Sequence, residues 1–137
     1  MKTLIIYYSY TGNTKKIAEA LCAEDPADIA EIRDVKRPGK IKAYVAGCFA
    51  AMRGKCGRIE PLGVDMAGYE RLVLLSPIWA SNPPPAVNTV LGQLPEGKTI
   101  AVKMVSGSGK SGCRERIEKI INDKNGTLES FEDIKMR

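Results

Sequence analysis

Two kinds of hydrophobic pattern alternate along this chain. Runs of consecutive apolar residues, many of them β-branched, are typical of buried strands, and apolar residues three or four positions apart are typical of helices packed on one side. The pattern predicts strands at about Thr3–Tyr8, Asp28–Val35, Arg71–Ser76, Lys98–Val105 and Thr127–Lys135, and helices at about Asn13–Ala23 and Lys40–Met52, from Pro83–Pro85 to about Leu91, and at Gly112–Asn122. The alternation predicts an α/β fold, with a parallel sheet covered by helices on both faces, in a single domain over residues 1–137.

Three loops of this predicted fold are the places to look for a binding site. Parallel α/β sheets bind ligands outside the carboxyl ends of their strands, where the strand order reverses. Ser9–Thr14, Ser76–Pro85 and Ser106–Cys113 follow the first, third and fourth predicted strands. Candidate residues are therefore sought in these loops.

The first loop is rich in hydroxyl groups and joins a buried strand to an amphipathic helix. Its sequence is Ser9-Tyr10-Thr11-Gly12-Asn13-Thr14. The N–H groups at a helix start have no partner within the helix, and the helix dipole favours an anion there. Hydroxyl and amide side chains added to those N–H groups predict a phosphate site that needs no positive charge.

The second loop carries the only tryptophan of the chain, Trp79. This residue lies among prolines and serines directly after a buried strand, whose own side chains already fill the core. We therefore predict that Trp79 is exposed or stacked on a ligand. An aromatic ring beside a phosphate site favours a planar heteroaromatic ligand.

The third loop contains two motifs that suggest other ligands. Gly109–Ser111 resembles the end of a Walker A motif, but that motif requires a glycine five residues before Gly109, where this chain has Met104. Gly107, Gly109 and Gly112 satisfy the dinucleotide pattern Gly-x-Gly-x-x-Gly, which normally lies in the first strand–helix turn and here lies in the last unit. A backbone that approaches the edge of a flat ligand is the favoured interpretation.

Charge singles out one further segment. The 137 residues carry a formal net charge of +5, with a pI near 9.1, and Arg33–Arg58 contains eight basic residues against one acidic residue, Asp34. A solvated surface and a docking site for an acidic partner are both consistent with this segment. Nucleic acid is less favoured, because only Tyr44 and Phe49 could stack on bases there.

Histidine does not occur in the sequence, and the cysteines at positions 22, 48, 56 and 113 form no Cys-x-x-Cys pair. The lack of histidine excludes Cys/His zinc sites, Ser-His-Asp hydrolysis and a histidine general base. Unpaired thiols, together with the lack of a signal sequence or of an apolar run near the roughly 20 residues that span a bilayer, lead us to expect a cytoplasmic protein. Cys113 lies where the third loop meets a predicted helix, whose dipole would lower the pKa of its thiol.

The three loops together resemble those of flavodoxins, over a stretch from Met1 to about Lys135. Ser9-x-Thr11-Gly12-Asn13-Thr14 is similar to the phosphate loop of that family, and Ser76–Ala80 is similar to the loop whose aromatic ring stacks on the flavin. Ser106–Gly109 corresponds to the loop that borders the pyrimidine edge of the flavin. The resemblance implies a flavodoxin-like, doubly wound, five-stranded parallel sheet in the order 2-1-3-4-5, FMN as the cofactor, and no catalytic or metal-binding residue.

The resemblance also implies how FMN is held. Ser9, Thr11, Asn13 and Thr14 would bind the phosphate, and Trp79 would cover one face of the ring. Backbone N–H groups of the second and third loops would meet the polar edge of the ring. The implied cofactor-binding residues are Ser9, Tyr10, Thr11, Gly12, Asn13, Thr14, Pro77, Ile78, Trp79, Ala80, Ser106, Gly107, Ser108 and Gly109.

The function implied by this resemblance is electron transfer, with FMN carrying electrons between redox enzymes. Flavodoxins have no proton-transferring catalytic residue, which agrees with a chain that lacks histidine. Two alternatives stay open on the same fold, namely an NAD(P)H-dependent flavin or quinone reductase and an activator of a metalloenzyme. A module without redox chemistry, which uses the first loop for another phosphate ligand or the basic segment Arg33–Arg58 for a partner, is a third.

Two features depart from the family pattern. Flavodoxins are usually acidic, so the basic segment Arg33–Arg58 leads us to expect an acidic redox partner instead of the usual basic one. Flavodoxins also continue into a fifth helix after the fifth strand, whereas this sequence stops near Lys135. Apolar positions on one face of the sheet are then expected to be open to water, and we expect a homodimer through that face.

Overall fold

Nine short elements alternate along the chain in the computed structural model, which describes residues 2–9, 12–33, 59–78, 82–106 and 112–135. They are β1 (Thr3–Tyr7), α1 (Asn13–Glu24), β2 (Asp28–Glu31), a 3₁₀ turn (Met66–Gly68), β3 (Arg71–Pro77), α2 (Pro85–Gly92), β4 (Thr99–Ser106), α3 (Arg114–Asp123) and β5 (Thr127–Lys135). Within the described ranges, none of the helices is long and apolar enough to cross a membrane. The helix predicted at Lys40–Met52 lies outside them.

The element boundaries agree with the sequence pattern to within one residue in most places and differ by more than that in two. β2 ends at Glu31, earlier than the predicted Val35, which lies outside the described residues. α3 begins at Arg114, later than the predicted Gly112, because Cys113 has the non-helical backbone of a helix cap. Helix and strand ends depend on local capping geometry, which a hydrophobic pattern does not specify.

The five strands form one parallel sheet in the order β2-β1-β3-β4-β5. β1 pairs with both β2 and β3, so that Ile6 lies beside Ala30 on one side and Leu74 on the other. Parallel strands need crossover connections, which α1, α2 and α3 supply after β1, β3 and β4. The predicted α/β class and strand order are confirmed.

Helices pack on both faces of this sheet, as its apolar strands require. Leu4 and Ile6 of β1 belong to the larger core, which α2 and α3 cover with buried residues such as Val87 and Ile117. Ile5 points to the opposite face and packs in the smaller core beneath α1. Successive side chains of a strand alternate between faces, so a strand covered on both faces reads as a continuous apolar run.

The face of the sheet on which α1 packs also carries ion pairs, and these lie beyond the helix. A register shift in β5 makes Glu129 an extra residue, and Arg71 contacts its carboxylate at 2.6 Å. Lys103 pairs with a second acidic residue of β5, Glu132, at 3.1 Å. Ala101 of this face is only 1% exposed. These charged side chains leave less apolar surface than the homodimer hypothesis assumes, and the dimer stays a prediction.

Candidate functional site

The three predicted loops leave the sheet side by side. In the parallel register Tyr7 of β1 lies beside Leu75 of β3, and Pro77 of β3 lies beside Val105 of β4. The loops that follow these strands therefore begin at one carboxyl edge. The connection after β1 leads to β2 on one side, and the connection after β3 leads to β4 on the other side, so these two crossovers diverge and open a crevice between the loops after β1 and β3.

The first loop contains a turn that a serine side chain closes. The backbone N–H of Gly12 donates a hydrogen bond of 2.9 Å to Oγ of Ser9. Gly12 is the N-cap of α1 with φ of 95°, a conformation that glycine adopts without the steric cost of a Cβ atom. Oγ of Ser9 accepts this bond, so its own hydroxyl hydrogen can still be donated to a ligand. Tyr10 and Thr11 lie outside the described residues.

The start of α1 supplies backbone N–H donors next to this turn. The first helical hydrogen bond runs from the N–H of Lys16 to the carbonyl oxygen of Gly12, at 3.2 Å. The N–H groups of Asn13, Thr14 and Lys15 precede it and have no carbonyl one turn earlier in the helix to bond to. The side chain of Asn13 is exposed, whereas Thr14 is buried. Several N–H donors at a helix start form a site suited to a phosphate.

Sequence reasoning missed the positive charge of this first helical turn. Lys15 and Lys16 are both exposed there, and the turn contains no acidic residue. A cation at the positive end of a helix dipole is unfavourable by about 0.3–1 kcal/mol. The lack of Asp and Glu, which usually occupy a first turn, was the available signal in the sequence. A bound anion would turn this unfavourable arrangement into a favourable one.

The second loop begins inside the core. Ser76 is completely buried, and its hydroxyl donates to the carbonyl oxygen of Pro77 at 2.8 Å. Pro77 and Ile78 are half-buried, and Ile78 packs against the core beneath α2 and α3. Trp79 and Ala80 lie outside the described residues, so the exposure of Trp79 stays a prediction. The structure thus anchors the loop up to the residue before the tryptophan.

The third loop follows β4, whose last residue, Ser106, is half-buried. Gly107–Gly109 lie outside the described residues. The loop ends at Cys113, the N-cap of α3, which is 1% exposed. A lowered pKa of this thiol stays a prediction, and its burial means that little of the sulfur is accessible to solvent.

A guanidinium connects α3 to the end of the second loop. Nη1 of Arg116 donates to Oδ1 of Asn82 at 3.1 Å, and Nη2 donates to Oδ1 of Asn88 at 2.6 Å. Sequence reasoning missed this contact, because Arg116 is 34 residues from Asn82 and 28 from Asn88, and no local pattern joins them. The fold brings these side chains together at the carboxyl edge.

A second polar cluster lies at the end of β1 and β2. The hydroxyl of Tyr7 donates to Oε2 of Glu31 at 3.2 Å, and Arg33 contacts the same oxygen at 3.3 Å. Burial raises the pKa of Tyr7 above its ordinary value, and the charge of Glu31 raises it further. Arg33 is the first residue of the basic segment Arg33–Arg58, and its ion pair offsets part of its charge.

Comparisons with known proteins assign the fold. No protein-family model and no curated protein matches this chain. The flavoprotein of Lactobacillus acidophilus NCFM, crystallised in complex with FMN, has a TM-score of 0.78 at 21% identity, over 95% of this chain and 91% of that chain. A Bacteroides eggerthii protein described as a flavoprotein has a TM-score of 0.75 at 24% identity, over 96% and 86% of the two chains. Two-electron reduced flavodoxin of Megasphaera elsdenii has a TM-score of 0.60 at 16% identity, over 96% and 87%.

The fold is flavodoxin-like. This result confirms the fold that the three loop motifs implied, although the identities are too low to carry the chemistry of a site from those proteins to this one. In the flavodoxin-like fold, Ser9 and Gly12–Thr14 lie at the carboxyl edge together with Pro77, Ile78 and Ser106. The remaining predicted site residues lie outside the described part of the chain. What the site binds must therefore be argued from its own residues.

Proposed function

We propose that this protein binds FMN at the carboxyl edge of its sheet and transfers electrons between redox enzymes. The observation that carries the proposal is the turn in which Ser9 bonds the N–H of Gly12 at the start of α1. This turn lies next to the crevice between β1 and β3, which is where the 2-1-3-4-5 strand order favours a nucleotide.

The donors of the first loop fit a phosphate monoester. The Ser9 hydroxyl and the N–H groups of Asn13, Thr14 and Lys15 supply donors, and the first turn of α1 holds no carboxylate that would repel the anion. Tyr10 and Thr11 complete this loop in the proposal. Exposed Lys15 and Lys16 add positive charge near the same helix end. The helix dipole and these positive charges would both favour a bound dianionic phosphate.

In this proposal the flavin ring lies between the second loop and the third loop. Trp79 covers one face of the ring, and Pro77 and Ile78 hold the preceding backbone against the core. Backbone groups at Ala80 and along Ser106–Gly109 border the polar edge of the ring. When bound, FMN supplies the electron transfer itself, and the chain's residues bind, orient and shield it. The FMN present in the Lactobacillus acidophilus structure supports this choice of cofactor.

Exchange of electrons with other proteins completes the proposal. The basic segment Arg33–Arg58 would dock an acidic redox partner, because opposite charges steer association. Cys22 and Cys113, the cysteines within the described ranges, form no disulfide bond, as is usual in a reducing compartment, and we place the protein in the cytoplasm. A carrier is favoured over a reductase because none of the features described above requires a nicotinamide site.

The test is an absorption spectrum of the purified protein, followed by titration with FMN and with riboflavin. We expect flavin bands, quenched Trp79 fluorescence, and tighter binding of FMN than of riboflavin, which lacks the phosphate. Failure to bind either FMN or FAD would overturn the proposal. Equal affinities for FMN and riboflavin would contradict the phosphate site in the first loop.

A second assay separates carrier from reductase. NADPH is added to the FMN-loaded protein, with and without a separate flavoprotein reductase and an electron acceptor such as cytochrome c. A carrier reduces the acceptor only when the reductase is present. Steady NADPH oxidation by the protein alone would instead show a reductase.

A further inference from the structure

One buried contact at the carboxyl edge has no part in the phosphate site. Half-buried Arg116 directs its two terminal nitrogens at the side-chain oxygens of Asn82 and Asn88, at 3.1 and 2.6 Å. Asn88 is 4% exposed, and its own amide nitrogen lies 3.5 Å from the carbonyl oxygen of Pro83. A planar guanidinium that spans two acceptors restrains both distance and angle between the groups it joins.

The two asparagines lie on either side of Pro83–Pro85. Asn82 comes three residues after Trp79, and Asn88 lies inside α2. Arg116 lies in the first turn of α3, directly after the third loop. The guanidinium therefore joins the end of the second loop to the end of the third loop, and prolines stiffen the segment between its two acceptors.

The position of this charge is locally unfavourable. Arg116 lies in the first turn of α3, where the helix dipole disfavours a cation. Glu115 in the same turn is the residue type that such a position prefers. The side-chain oxygens of Asn82 and Asn88 offset this unfavourable position, because they accept hydrogen bonds from the guanidinium. The arginine is thus stabilised by contacts with distant parts of the chain. Residues that break a local rule and gain a tertiary contact often serve function.

We propose that Arg116 is a positioning residue for the flavin site. It holds the end of the Trp79 loop at a set distance from the end of the third loop, so that both loops are arranged for the ring before it binds. This role rests on the proposed function. It requires no contact between Arg116 and FMN, because the guanidinium acts through Asn82 and Asn88. Arrangement of a site before binding lowers the entropy lost when the ligand binds.

The chain offers a matched control at the other end of the same helix pair. Nζ of Lys124, the C-cap of α3, donates to the carbonyl oxygen of Gly92 at the end of α2, at 2.9 Å. Arg116 and Lys124 thus both join α3 to α2, one at the carboxyl edge and the other at the amino edge. Arg116→Gln and Lys124→Gln each remove one positive charge and one contact between α3 and α2, and Arg116→Gln also removes the hydrogen bond to Asn82.

The experiment compares these two variants with the wild-type protein. Stability is measured by urea unfolding, FMN affinity by titration, and the accessibility of Trp79 in the FMN-free protein by acrylamide quenching. We expect both variants to lose stability, Arg116→Gln more because it loses two hydrogen bonds, but FMN binding weakened about tenfold, the equivalent of about 1.4 kcal/mol, in Arg116→Gln alone. Trp79 quenching should increase in Arg116→Gln and stay at the wild-type value in Lys124→Gln. Equal FMN affinities of the two variants would overturn the proposal.

A double-mutant cycle with Asn82→Ala separates positioning from simple attraction between a cation and an anionic cofactor. If Arg116 acts through Asn82 and Asn88, each single substitution weakens FMN binding, and the double variant is little weaker than Arg116→Gln. Additive losses would mean that the charge of Arg116 acts on FMN directly, and they would overturn the positioning role. Failure of the wild-type protein to bind FMN would overturn the proposed function itself, which is a different outcome from equal binding by the two variants.

Discussion

Polar residues at the amino edge of the sheet pair with one another, whereas those at the carboxyl edge form turns and helix starts in addition to pairs such as that of Tyr7 with Glu31. At the amino edge, the hydroxyl of Tyr69 donates to Asp28 at 2.6 Å, and Nζ of Lys2 lies 4.8 Å from the centre of the Tyr69 ring. Arg71 donates from Nε to one carboxylate oxygen of Glu129 at 3.0 Å and from Nη2 to the other at 2.6 Å. Both carboxylate contacts reach across an intervening strand where the sheet begins, because β1 lies between β2 and β3, and β4 lies between β3 and β5.

The carboxyl edge contains arrangements that are unfavourable by local rules. Lys15 and Lys16 occupy a helix start that favours acidic residues, and Arg116 lies in the first turn of another helix. Such positions persist where a ligand or a distant contact compensates for them. Under the proposed function, we expect the amino edge to serve mainly to stabilise the sheet and the carboxyl edge to serve mainly to bind FMN. Four predictions test this division of roles, from the largest expected effect to the smallest.

Gly126→Ala tests the amino edge and should give the largest loss of stability. A Cβ atom at this turn would lie 2.9 Å from the carbonyl oxygen of Lys98 and 3.0 Å from Cγ2 of Ile121. Because a backbone atom must move, we expect the free energy of unfolding to fall by about 1–3 kcal/mol in urea denaturation.

The control for Gly126→Ala is Gly92→Ala, at the end of α2, where a Cβ atom has no neighbour within 4 Å among the described residues. This variant should be as stable as the wild-type protein or slightly more stable. FMN affinity of the folded protein should be unchanged in both variants. A large loss of FMN affinity in Gly126→Ala would contradict the division between the two edges.

Gly12→Ala tests the carboxyl edge. Gly12 has φ of 95°, so alanine should cost about 1–2 kcal/mol of stability, and the moved backbone should also weaken FMN binding. The matched control is Gly97→Ala, because Gly97 has φ of 74° and lies at the amino edge, just before β4. We expect a comparable loss of stability but unchanged FMN affinity in that variant. If Gly12→Ala and Gly97→Ala weakened FMN binding equally, backbone strain would determine the affinity, and the position of Gly12 in the first loop would not.

Lys15→Gln combined with Lys16→Gln should change stability and binding in opposite directions. Removing cations from the first turn of α1 should stabilise the FMN-free protein by about 0.3–1 kcal/mol per residue at low salt. The same change should weaken FMN binding, because less positive charge remains near the phosphate. Thermal unfolding and FMN titration at two salt concentrations measure both effects. The control is Lys119→Gln, at an exposed position within α3, which should change neither the stability nor the FMN affinity. A double variant with unchanged FMN affinity would exclude a role for these lysines.

The Arg71–Glu129 pair predicts a small dependence of stability on pH. Hydrogen bonds from Arg71 hold the pKa of Glu129 below its ordinary value in the folded protein. The pair therefore adds stability at pH values above the unfolded pKa of Glu129, and this contribution disappears as the pH falls through the folded pKa. Since Glu129 is 39% exposed, solvent screening should limit the effect to less than about 1 kcal/mol.

Glu129→Gln should remove this contribution, so that stability falls less steeply between neutral and acidic pH than in the wild-type protein. Urea unfolding at a series of pH values measures the slope. Exposed Glu96→Gln is the control for the loss of a carboxylate. Identical slopes in the wild-type protein and Glu129→Gln would show that the ion pair contributes nothing measurable. FMN affinity at neutral pH should be unaffected, because the pair lies at the amino edge.

The elements were predictable where one physical requirement decided them. Leu72–Leu75 is a run without a polar residue, and a strand covered by helices on both faces accepts no other pattern. Thr127–Lys135 was predicted as the last strand with its observed bounds, although its register shift at Glu129 was not. A shift of one residue depends on pairing with β4, which the sequence of β5 alone does not contain.

The site was predictable to the extent that its signals are local. Ser9 and Gly12 are three residues apart, and a hydroxyl and a glycine before an amphipathic helix indicated a turn. The hydrogen bond between them, and the burial of Thr14 beside exposed Asn13, depend on how α1 packs against the sheet. The positive charge of Lys15 and Lys16 at this helix start did not enter the prediction, because exposed lysines are common on helices.

By itself the sequence determined the order of strands and helices and the three loops in which a ligand site could form, because apolar periodicity and turn residues act over a few neighbouring positions. Only the tertiary structure decided which distant polar groups meet. Arg116 reaches Asn82, and Arg71 reaches Glu129, because strand register and helix packing set their separations. Two charged side chains that are distant in the sequence meet only when the packed core fixes the backbone positions of both residues, and those positions depend on the whole fold.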